Sequence, residues 1–381
     1  MIYRYPHYYK RFCCIADQCE STCCAGWEIV VDEDSIEKYL QVKSDFGNRL
    51  CSSIDFVEGV FHQDSRKRCA FLKEDNLCDI YSQLGEEYLC YTCTQYPRHI
   101  EEFESMNEVS LSISCPEVAS LILNCEEKVS FYEEDIEEDT EEYEEFDYLF
   151  YDILVDVRSI IFSLLQNRAF PIRDRMKLTI QLCYKVQGKI NASEIFEVEE
   201  ILATYQSMSI ENISIENDES AINDEMTPYY IIQSIIQHLF QLEALNEEWQ
   251  PNLLKNQKLL YTRDENEYLE LRKYFEQTYR VELERMEEQL QIYFVYSYLC
   301  GAVYDGELLS KYLLAYVTTI IIEELWFAKY LEQGNKLSNK DMQRVVYAYA
   351  REIEHSDQNL EILENMYQEE KEYQEKYMMR L

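Results

Sequence analysis

The chain has 381 residues and a formal net charge of −39, with 74 acidic against 35 basic side chains. So acidic a surface repels phosphate backbones and anionic lipid headgroups, so we expect neither nucleic-acid binding nor membrane binding. Glycine and proline are scarce, at 8 and 6 residues, which favours long helices over a turn-rich β protein. We therefore expect a mainly α protein.

The N-terminal residues predict a cytoplasmic protein. Residues 1–10 are polar and rich in tyrosine, without the apolar stretch of a secretory signal. No run of about 18 apolar residues predicts a membrane span. In the reducing cytoplasm, clustered cysteines bind metal or do redox chemistry more often than they form disulfides.

Cysteines crowd the N-terminal third, where 12 of the chain's 14 lie before residue 126. Thiols in short-spaced groups are typical of zinc and iron–sulfur sites. The two C-x2-C knuckles of a zinc ribbon are absent, and one C-x2-C joins Cys90 to Cys93. Cys23 and Cys24 are adjacent, which is awkward for one tetrahedral ion because neighbouring side chains diverge. Either one of the two ligates, or they serve different sites.

Residues 1–125 are predicted to form a small irregular α+β cysteine-rich metal-binding module. Its expected elements are a strand or hairpin within residues 51–65, a strand over 109–113, and helices from Asp32 or Ser35 to Leu40 and from Pro116 to Leu123. An acidic segment at residues 126–147 follows, and its like charges predict a linker.

Residues 148–381 show apolar positions at helical spacing and are predicted to form an all-helical domain that docks the substrate. The expected helices span residues 148–166, 173–186, 227–245, 265–299 (with or without a break), 308–331, 342–354 and 358–376, with a loop over 206–226. Residues 338–341 read as a capping box.

Several short motifs occur in a fixed order with matching flanking residues. They are Phe12-x-Cys14-x4-Cys19-x3-Cys23-Cys24-x-Gly26-Trp27, Cys69-x-Phe71-Leu72, Cys78-x-Ile80, Cys93-x2-Tyr96-Pro97-Arg98 and Ser114-Cys115-Pro116-Glu117. Over roughly residues 8–125 this set resembles the flagellin lysine N-methylase (FliB-like) family. Its first part also resembles the YkgJ-type cysteine-cluster domain, a zinc- or iron-chelating module.

The resemblance implies a protein-lysine N-methyltransferase that uses S-adenosylmethionine to methylate lysines of flagellin, and that holds an iron–sulfur cluster of the 4Fe–4S type. The metal ligands it implies are Cys14, Cys19, Cys23, Cys24, Cys69, Cys78, Cys93 and Cys115. Eight thiols exceed what one four-iron cluster needs, so some are structural or two metal sites exist. Zinc is the alternative metal.

The residues also limit how the methyl donor binds. The chain has no G-x-G, so a Rossmann-type donor site is not expected. The radical-enzyme spacing C-x3-C-x2-C is absent, because Gly26 stands where the third cysteine would be after Cys19 and Cys23. An iron with an open coordination position that chelates the donor's amino and carboxylate groups is one remaining route.

Motif positions supply the candidate catalytic and donor-binding side chains. We expect Arg98 to grip the donor's carboxylate, and Trp27 or Tyr96 to stack on its adenine or sulfonium. Asp32 and Glu117 are candidates to hold the lysine. Each has an ordinary alternative: a core ring for Trp27, a salt bridge for Arg98, a helix cap for Asp32, and a first-turn carboxylate for Glu117.

Two other functions stay open beside methyl transfer. A non-catalytic scaffold would bind zinc or iron in its cysteine module and a partner through its helices. A thiol redox protein would use Cys90 and Cys93, although the βαβ context of such a site is missing. The partner expected for the methyltransferase is flagellin or another lysine-bearing protein, which an acidic surface suits.

Overall fold

The computed structural model describes residues 1–137, 146–207 and 226–381. Its strands are β1 (Ile2–Pro6), β2 (Ile54–Asp55), β3 (Val60–Phe61), β4 (Arg98–Phe103), β5 (Met106–Leu111) and β6 (Phe131–Asp135). Its helices in the first part are α1 (Glu33–Leu40), α2 (Asp45–Ser52), α3 (Asp79–Leu84), α4 (Tyr91–Gln95) and α5 (Pro116–Leu123).

The rest of the described chain is helical. The helices are α6 (Tyr148–Leu165), α7 (Ile172–Asn191), α8 (Val198–Ser207), α9 (Pro228–His238), α10 (Trp249–Tyr261), α11 (Glu265–Thr278), α12 (Arg280–Tyr298), α13 (Leu308–Glu332), α14 (Asn339–Glu354), α15 (Asp357–Glu369) and α16 (Glu375–Met378). The expected fold class is confirmed: a small, cysteine-rich α+β part precedes a helical part.

Helix starts predicted from capping residues are found where the sequence places them. The Asp32 carboxylate accepts a hydrogen bond from the Ser35 N–H at 2.9 Å and starts α1. Pro116 occupies the first turn of α5. At α14, Ser338 Oγ accepts from the Asp341 N–H, and the Asp341 carboxylate accepts from the Ser338 N–H. Such local bonds satisfy backbone donors that a helix leaves free.

The predicted ends and lengths of the helices are less accurate than their predicted starts. The helix expected over residues 265–299 is two helices, because Tyr279 between α11 and α12 has non-helical angles, φ −108° and ψ 19°. The helix expected to reach residue 245 ends at His238, and α8 and α10 were not predicted. The loop predicted over 206–226 falls mainly on 208–225, which lie outside the described residues.

A four-stranded sheet in the order β4-β5-β1-β6 joins distant parts of the chain. β1 runs parallel to β5, with Ile2 opposite Met106, and antiparallel to β6, with Tyr3 opposite Glu134. β6 lies within the segment predicted to be an acidic linker, so residues 131–135 are strand rather than linker. Residues 138–145 of that segment lie outside the described residues.

Apolar packing divides the described residues into two cores. The larger core contains sheet residues such as Phe103 and Leu111, helix α5 and the helices from α6 onwards. The smaller core contains Ile29, Leu50 and Phe71, together with several cysteines. The division at residues 125 and 148 stays a prediction, while the packing places the sheet with the helices.

Helix α13 forms the centre of the larger core. It is buried on almost every side, which fits its apolar sequence. Even so, no helix in the described part of the chain is both long enough and apolar enough to cross a membrane.

A buried ion pair ties the sheet to the helices. The two terminal guanidinium nitrogens of Arg158 on α6, Nη1 and Nη2, donate to the carboxylate of Glu108 on β5. The side chains of Arg158 and Glu108 are 3% and 2% exposed. Arg4 on β1 bonds to the same carboxylate at 3.2 Å. Burial disfavours these charges, so each depends on its partners for compensation.

Replacing Glu108 with alanine should lower the free energy of unfolding by about 3–5 kcal/mol, because Arg158 is left buried without its carboxylate. Urea denaturation followed by circular dichroism measures the loss. Lys10→Ala removes the exposed ion pair with Glu134 and should leave the midpoint nearly unchanged. Exposed ion pairs contribute less than about 1 kcal/mol to stability. A loss as small as this for Glu108→Ala would contradict a stabilising role of the buried pair.

Candidate metal centre

The eight motif cysteines come from four segments of the chain. The loop between β1 and α1 carries Cys14, Cys19, Cys23 and Cys24, the turn before α3 carries Cys69 and Cys78, α4 carries Cys93, and Cys115 is the N-cap of α5. None of the chain's 14 cysteines, all within the described ranges, forms a disulfide. Soft thiolate donors suit zinc and iron–sulfur clusters, so this donor set fits either group.

The adjacent cysteines Cys23 and Cys24 differ in acidity. The hydrogen bond from Cys23 lowers the pKa of Cys24 to about 7, and the Thr22 hydroxyl and the charge of Arg68 add to this effect. The same hydrogen bond, followed by burial, raises the pKa of Cys23. Because the thiolate is the form that binds metal, a hydrogen bond that stabilises one thiolate of this pair prepares it as a ligand.

Arg351, at the end of α14, fastens the first cysteine loop to the segment before Cys115. Its Nη2 donates to the Ser21 carbonyl at 2.6 Å, and its Nε donates to the Ser114 carbonyl at 3.0 Å. Its guanidinium also lies over the Trp27 ring, 4.8 Å from the centroid. One side chain from the helical part thus holds two cysteine-bearing segments together.

An aromatic wall, formed by the rings of Trp27, His355 and Tyr96, lies beside the Arg351 guanidinium. The Trp27 ring stacks on His355, with centroids 4.5 Å apart and an interplanar angle of 18°, and lies 5.4 Å from the Tyr96 ring. His355 Nε2 and the Tyr96 hydroxyl lie 2.8 and 3.0 Å from Ser114 Oγ. The structure therefore brings together Trp27 and Tyr96, both predicted as donor-binding residues.

Neighbouring residues of α14 anchor the same loop. Glu20 pairs with Arg344 at 2.6 Å and with Lys340 at 2.8 Å, and it accepts a hydrogen bond from Tyr347. The hydrogen bonds from Arg344, the largest contribution, help to lower the pKa of Glu20 to about 2. Glu20 therefore stays ionised, and the loop stays attached, across the physiological range.

A buried carboxylate connects α14 to the sheet and to α12. Glu354 accepts hydrogen bonds from Ser112 at 3.0 Å and from Tyr293 at 2.7 Å. Tyr293 also accepts the Ile113 N–H at 3.1 Å. Burial raises the pKa of Glu354, although the hydroxyl donors act against the rise. These bonds hold residues 112–114 in place beside Cys115.

The remaining predicted side chains are Asp32, Arg98 and Glu117. Both oxygens of Asp32 accept backbone N–H groups, of Ser35 at 2.9 Å and of Tyr91 at 2.7 Å. Burial acts to raise the pKa of Asp32, but these bonds outweigh it and lower the pKa. Asp32 therefore has the ordinary role of a helix cap. Arg98 is exposed on β4 above the Phe12 ring, and Glu117 is half-buried in the first turn of α5.

Cys90 is a poor candidate for thiol exchange. It is 1% exposed, and its thiol donates to the Val30 carbonyl at 3.6 Å. Its hydrogen bond with Cys93 lowers its pKa, but a redox partner would have no access to the sulfur.

A separate cavity of about 450 Å³ lies between α7, α9, α11 and α12. Arg173 and Arg272 lie in its wall with the buried carboxylate of Glu323, and they form ion pairs with it. No motif cysteine and no residue of the aromatic wall lines this cavity. The cavity is therefore separate from the candidate metal centre.

The sequence motifs did not point to Arg351 and His355, because both residues lie far along the chain from the cysteine motifs. One signal was available. Lys340, Arg344, Tyr347 and Arg351 recur at spacings of three and four, which places them on one face of a helix. A basic face in a chain with 74 acidic residues indicates an intramolecular or intermolecular contact.

Arg351→Lys should loosen the first cysteine loop, because lysine cannot bond to Ser21 and Ser114 at once. Charged hydrogen bonds contribute about 1.5–3 kcal/mol each, so amide hydrogen exchange in residues 19–24 should accelerate at least about tenfold. Mass spectrometry of peptides measures the exchange. Lys336→Ala, at an exposed position before α14, should leave the exchange unchanged; equal effects of both variants would contradict this role of Arg351.

His355 should make stability fall in acid. Burial, followed by repulsion from Arg351, lowers its pKa from 6.5 to about 4. Between these values the unfolded chain binds a proton that the folded chain does not. Unfolding free energy should therefore drop by about 2 kcal/mol between pH 7.5 and pH 5 through this residue. Urea titrations of wild type and His355→Gln at both pH values test this, since the variant should lose less; parallel losses would contradict it.

Comparison with known proteins agrees with the motif resemblance. Residues 158–381 match the family described as the FliB lysine N-methylase C-terminal domain, which is more than half of the chain. That range includes the whole basic face of α14 and His355.

Three curated proteins are similar to parts of the chain. A lysine-N-methylase of Salmonella typhimurium (strain LT2) is 32% identical over 143 residues, or 35% of this chain and 36% of that protein. A lysine-N-methylase of Salmonella choleraesuis is 31% identical over the same length. The flagellar biosynthetic protein FliU of Salmonella muenchen is 33% identical over 128 residues, or 75% of its own length.

The alignment spans about a third of the length of the two lysine-N-methylases. No solved structure matches the chain. The family match over residues 158–381, together with the coverage of FliU, nevertheless shows the family of the chain. The chain belongs to the FliB lysine N-methylase family.

Proposed function

We propose that this protein is a cytoplasmic, S-adenosylmethionine-dependent protein-lysine N-methyltransferase that acts on flagellin or another lysine-bearing protein. An iron–sulfur cluster held by the N-terminal cysteines is part of the proposal. One observation carries it. The cysteine loop is attached to the domain shared with the lysine N-methylases through Arg351, directly beside the Trp27–Tyr96 wall.

The thiolate donors of the cysteine segments suit an iron–sulfur cluster, which is the group that the family resemblance implies. When bound, a cluster with an open iron position would chelate the donor's amino and carboxylate groups.

Arg98 is the best placed cation for the donor's carboxylate. It is exposed on β4, close in the chain to Tyr96, and its side chain lies above the Phe12 ring, 5.7 Å from the centroid. A guanidinium can bind a carboxylate through two parallel hydrogen bonds. The edge of the Trp27–Tyr96 wall would then face the adenosine and the sulfonium.

Methyl transfer needs a neutral lysine amine. Its nitrogen forms a bond to the methyl carbon while the carbon–sulfur bond of the donor breaks, leaving S-adenosylhomocysteine, and the amine's extra proton passes to water. The charge of Arg351 beside the wall disfavours an entering ammonium and so lowers its pKa. Glu117, half-buried in α5, remains the carboxylate available to orient the lysine, because Asp32 serves as a helix cap.

Arg98→Lys should raise the KM for S-adenosylmethionine about tenfold and change kcat less, because lysine keeps the charge but loses the bidentate geometry. The assay incubates anaerobically purified protein with flagellin and the donor, and mass spectrometry counts added methyl groups on lysines. Arg66→Lys, at another exposed arginine, is the matched control and should behave as wild type. Equal KM values for both variants would remove Arg98 from the donor site.

The same preparation tests the function itself. A coloured protein that contains iron and acid-labile sulfide and adds methyl groups to flagellin supports the proposal. A colourless protein with stoichiometric zinc and no methyl transfer would overturn it in favour of a metal-binding scaffold.

A further inference from the structure

The helical part of the chain holds a cluster of possible metal ligands that contains no cysteine. It consists of His238 at the end of α9, Glu370 directly after α15, and Glu372 in the short 3₁₀ turn that follows. One ligand atom from each of the three side chains lies within 4.8 Å of those of the other two. Two segments that are distant in the chain thus bring an imidazole and two carboxylates together.

Burial distinguishes this cluster from ordinary acidic groups at a protein surface. His238 and Glu372 are 9% and 6% exposed, whereas Glu370 is exposed. A carboxylate that is removed from water needs a partner, because burial disfavours its charge. Among the described residues, no lysine or arginine forms an ion pair with Glu370 or Glu372. A bound cation would compensate the charge of both carboxylates.

The two carboxylate oxygens of Glu372 have different surroundings. Oε1 accepts a hydrogen bond from the Ser234 hydroxyl at 3.0 Å. Oε2 is buried, and it has no hydrogen-bond partner in the part of the chain that the structure describes. Buried polar atoms nearly always have a partner, so an oxygen of this kind indicates a ligand. The bond to Ser234 holds the side chain in place and leaves Oε2 for an ion.

The imidazole of His238 is held in a similar way. Its Nδ1 lies 2.9 Å from the hydroxyl of Tyr373, a residue that is 2% exposed. When Nδ1–H donates to this hydroxyl, the lone pair of Nε2 is available for a metal ion. Metal-binding histidines typically donate their other N–H to a neighbouring acceptor, which fixes the tautomer and the orientation of the ring.

The donor set indicates the kind of ion. One imidazole nitrogen and two carboxylate oxygens suit a divalent transition metal such as zinc, whereas calcium and magnesium prefer oxygen donors alone. Around a tetrahedral zinc ion with bonds of about 2.0 Å, the ligand atoms lie about 3.3 Å apart. The exposed side chain of Glu370 can change its rotamer to reach this separation.

We propose that His238, Glu370 and Glu372 bind one zinc ion, with water in the fourth coordination position. Three protein ligands leave such a position open in a tetrahedral site. The ion joins the end of α9 to the turn after α15, which also contacts α7 because the Tyr184 hydroxyl donates to the Tyr373 carbonyl. This site depends neither on the cysteine motifs nor on the proposed methyl transfer.

Metal content tests the site without an activity assay. The full chain and its variants are dialysed anaerobically to equilibrium against zinc chloride, and mass spectrometry counts zinc and iron per chain. The cysteines also bind metal, so the result that matters is the difference from wild type. Glu370→Gln, at an exposed position, should bind one zinc ion fewer and keep its iron. Glu372→Gln should lose the same ion; should it fail to fold, Glu370→Gln decides alone.

Glu369→Gln is the matched control, because it removes the neighbouring exposed carboxylate, which is not part of the cluster. This variant should keep the zinc content of wild type. Added zinc should also raise its melting temperature more than that of Glu370→Gln, since an ion that binds only the folded state stabilises it. Wild-type zinc content in Glu370→Gln, or equal shifts of the melting temperature in both variants, would overturn the proposal.

Discussion

The cysteine site depends on one guanidinium. Arg351 reaches the Ser21 and Ser114 carbonyls from α14, and its planar group then lies over Trp27. Such charge-assisted bonds contribute more than neutral ones, and they satisfy carbonyl oxygens that the surrounding protein shields from water. The helical part therefore supplies a structural component of the cysteine-rich region.

Part of the positive charge of this acidic protein lies at the same contact. Lys340, Arg344 and Arg351 lie on one face of α14 and meet Glu20, Ser21 and Ser114. A net charge of −39 would otherwise repel the carboxylate of Glu20 in this loop. The basic face places cations beside it.

Local signals in the sequence predicted local structure well. Asp32, Pro116 and Ser338 mark helix starts because capping bonds span three or four residues. The apolar spacing of α6 shows which of its faces is buried, and the almost continuous apolar sequence of α13 indicates burial on nearly every side. The break at Tyr279 has no glycine or proline to announce it. The place of β6 in the sheet depends on pairing with a strand far away, and the acidic composition concealed it.

The candidate site was predicted in part for the same reason. Trp27 and Tyr96 lie in motifs, and the structure brings their rings together. His355 and Arg351 contact Trp27 through tertiary packing. The spacing of the cysteines does not predict such contacts. Asp32 shows the opposite case, because its strong local role as a cap leaves no free oxygen for a substrate.

The sheet places a constraint on how the chain is made. β1 lies between β5 and β6, and its Arg4 bonds to Glu133, 129 positions further along. At about 5–20 residues per second, a ribosome needs roughly 6–26 s to synthesise that interval. Until β5 is made, β1 has no strand to pair with, and the sheet is complete only when β6 follows. Closure of the sheet therefore waits for synthesis of the whole cysteine-rich segment that lies between β1 and β6.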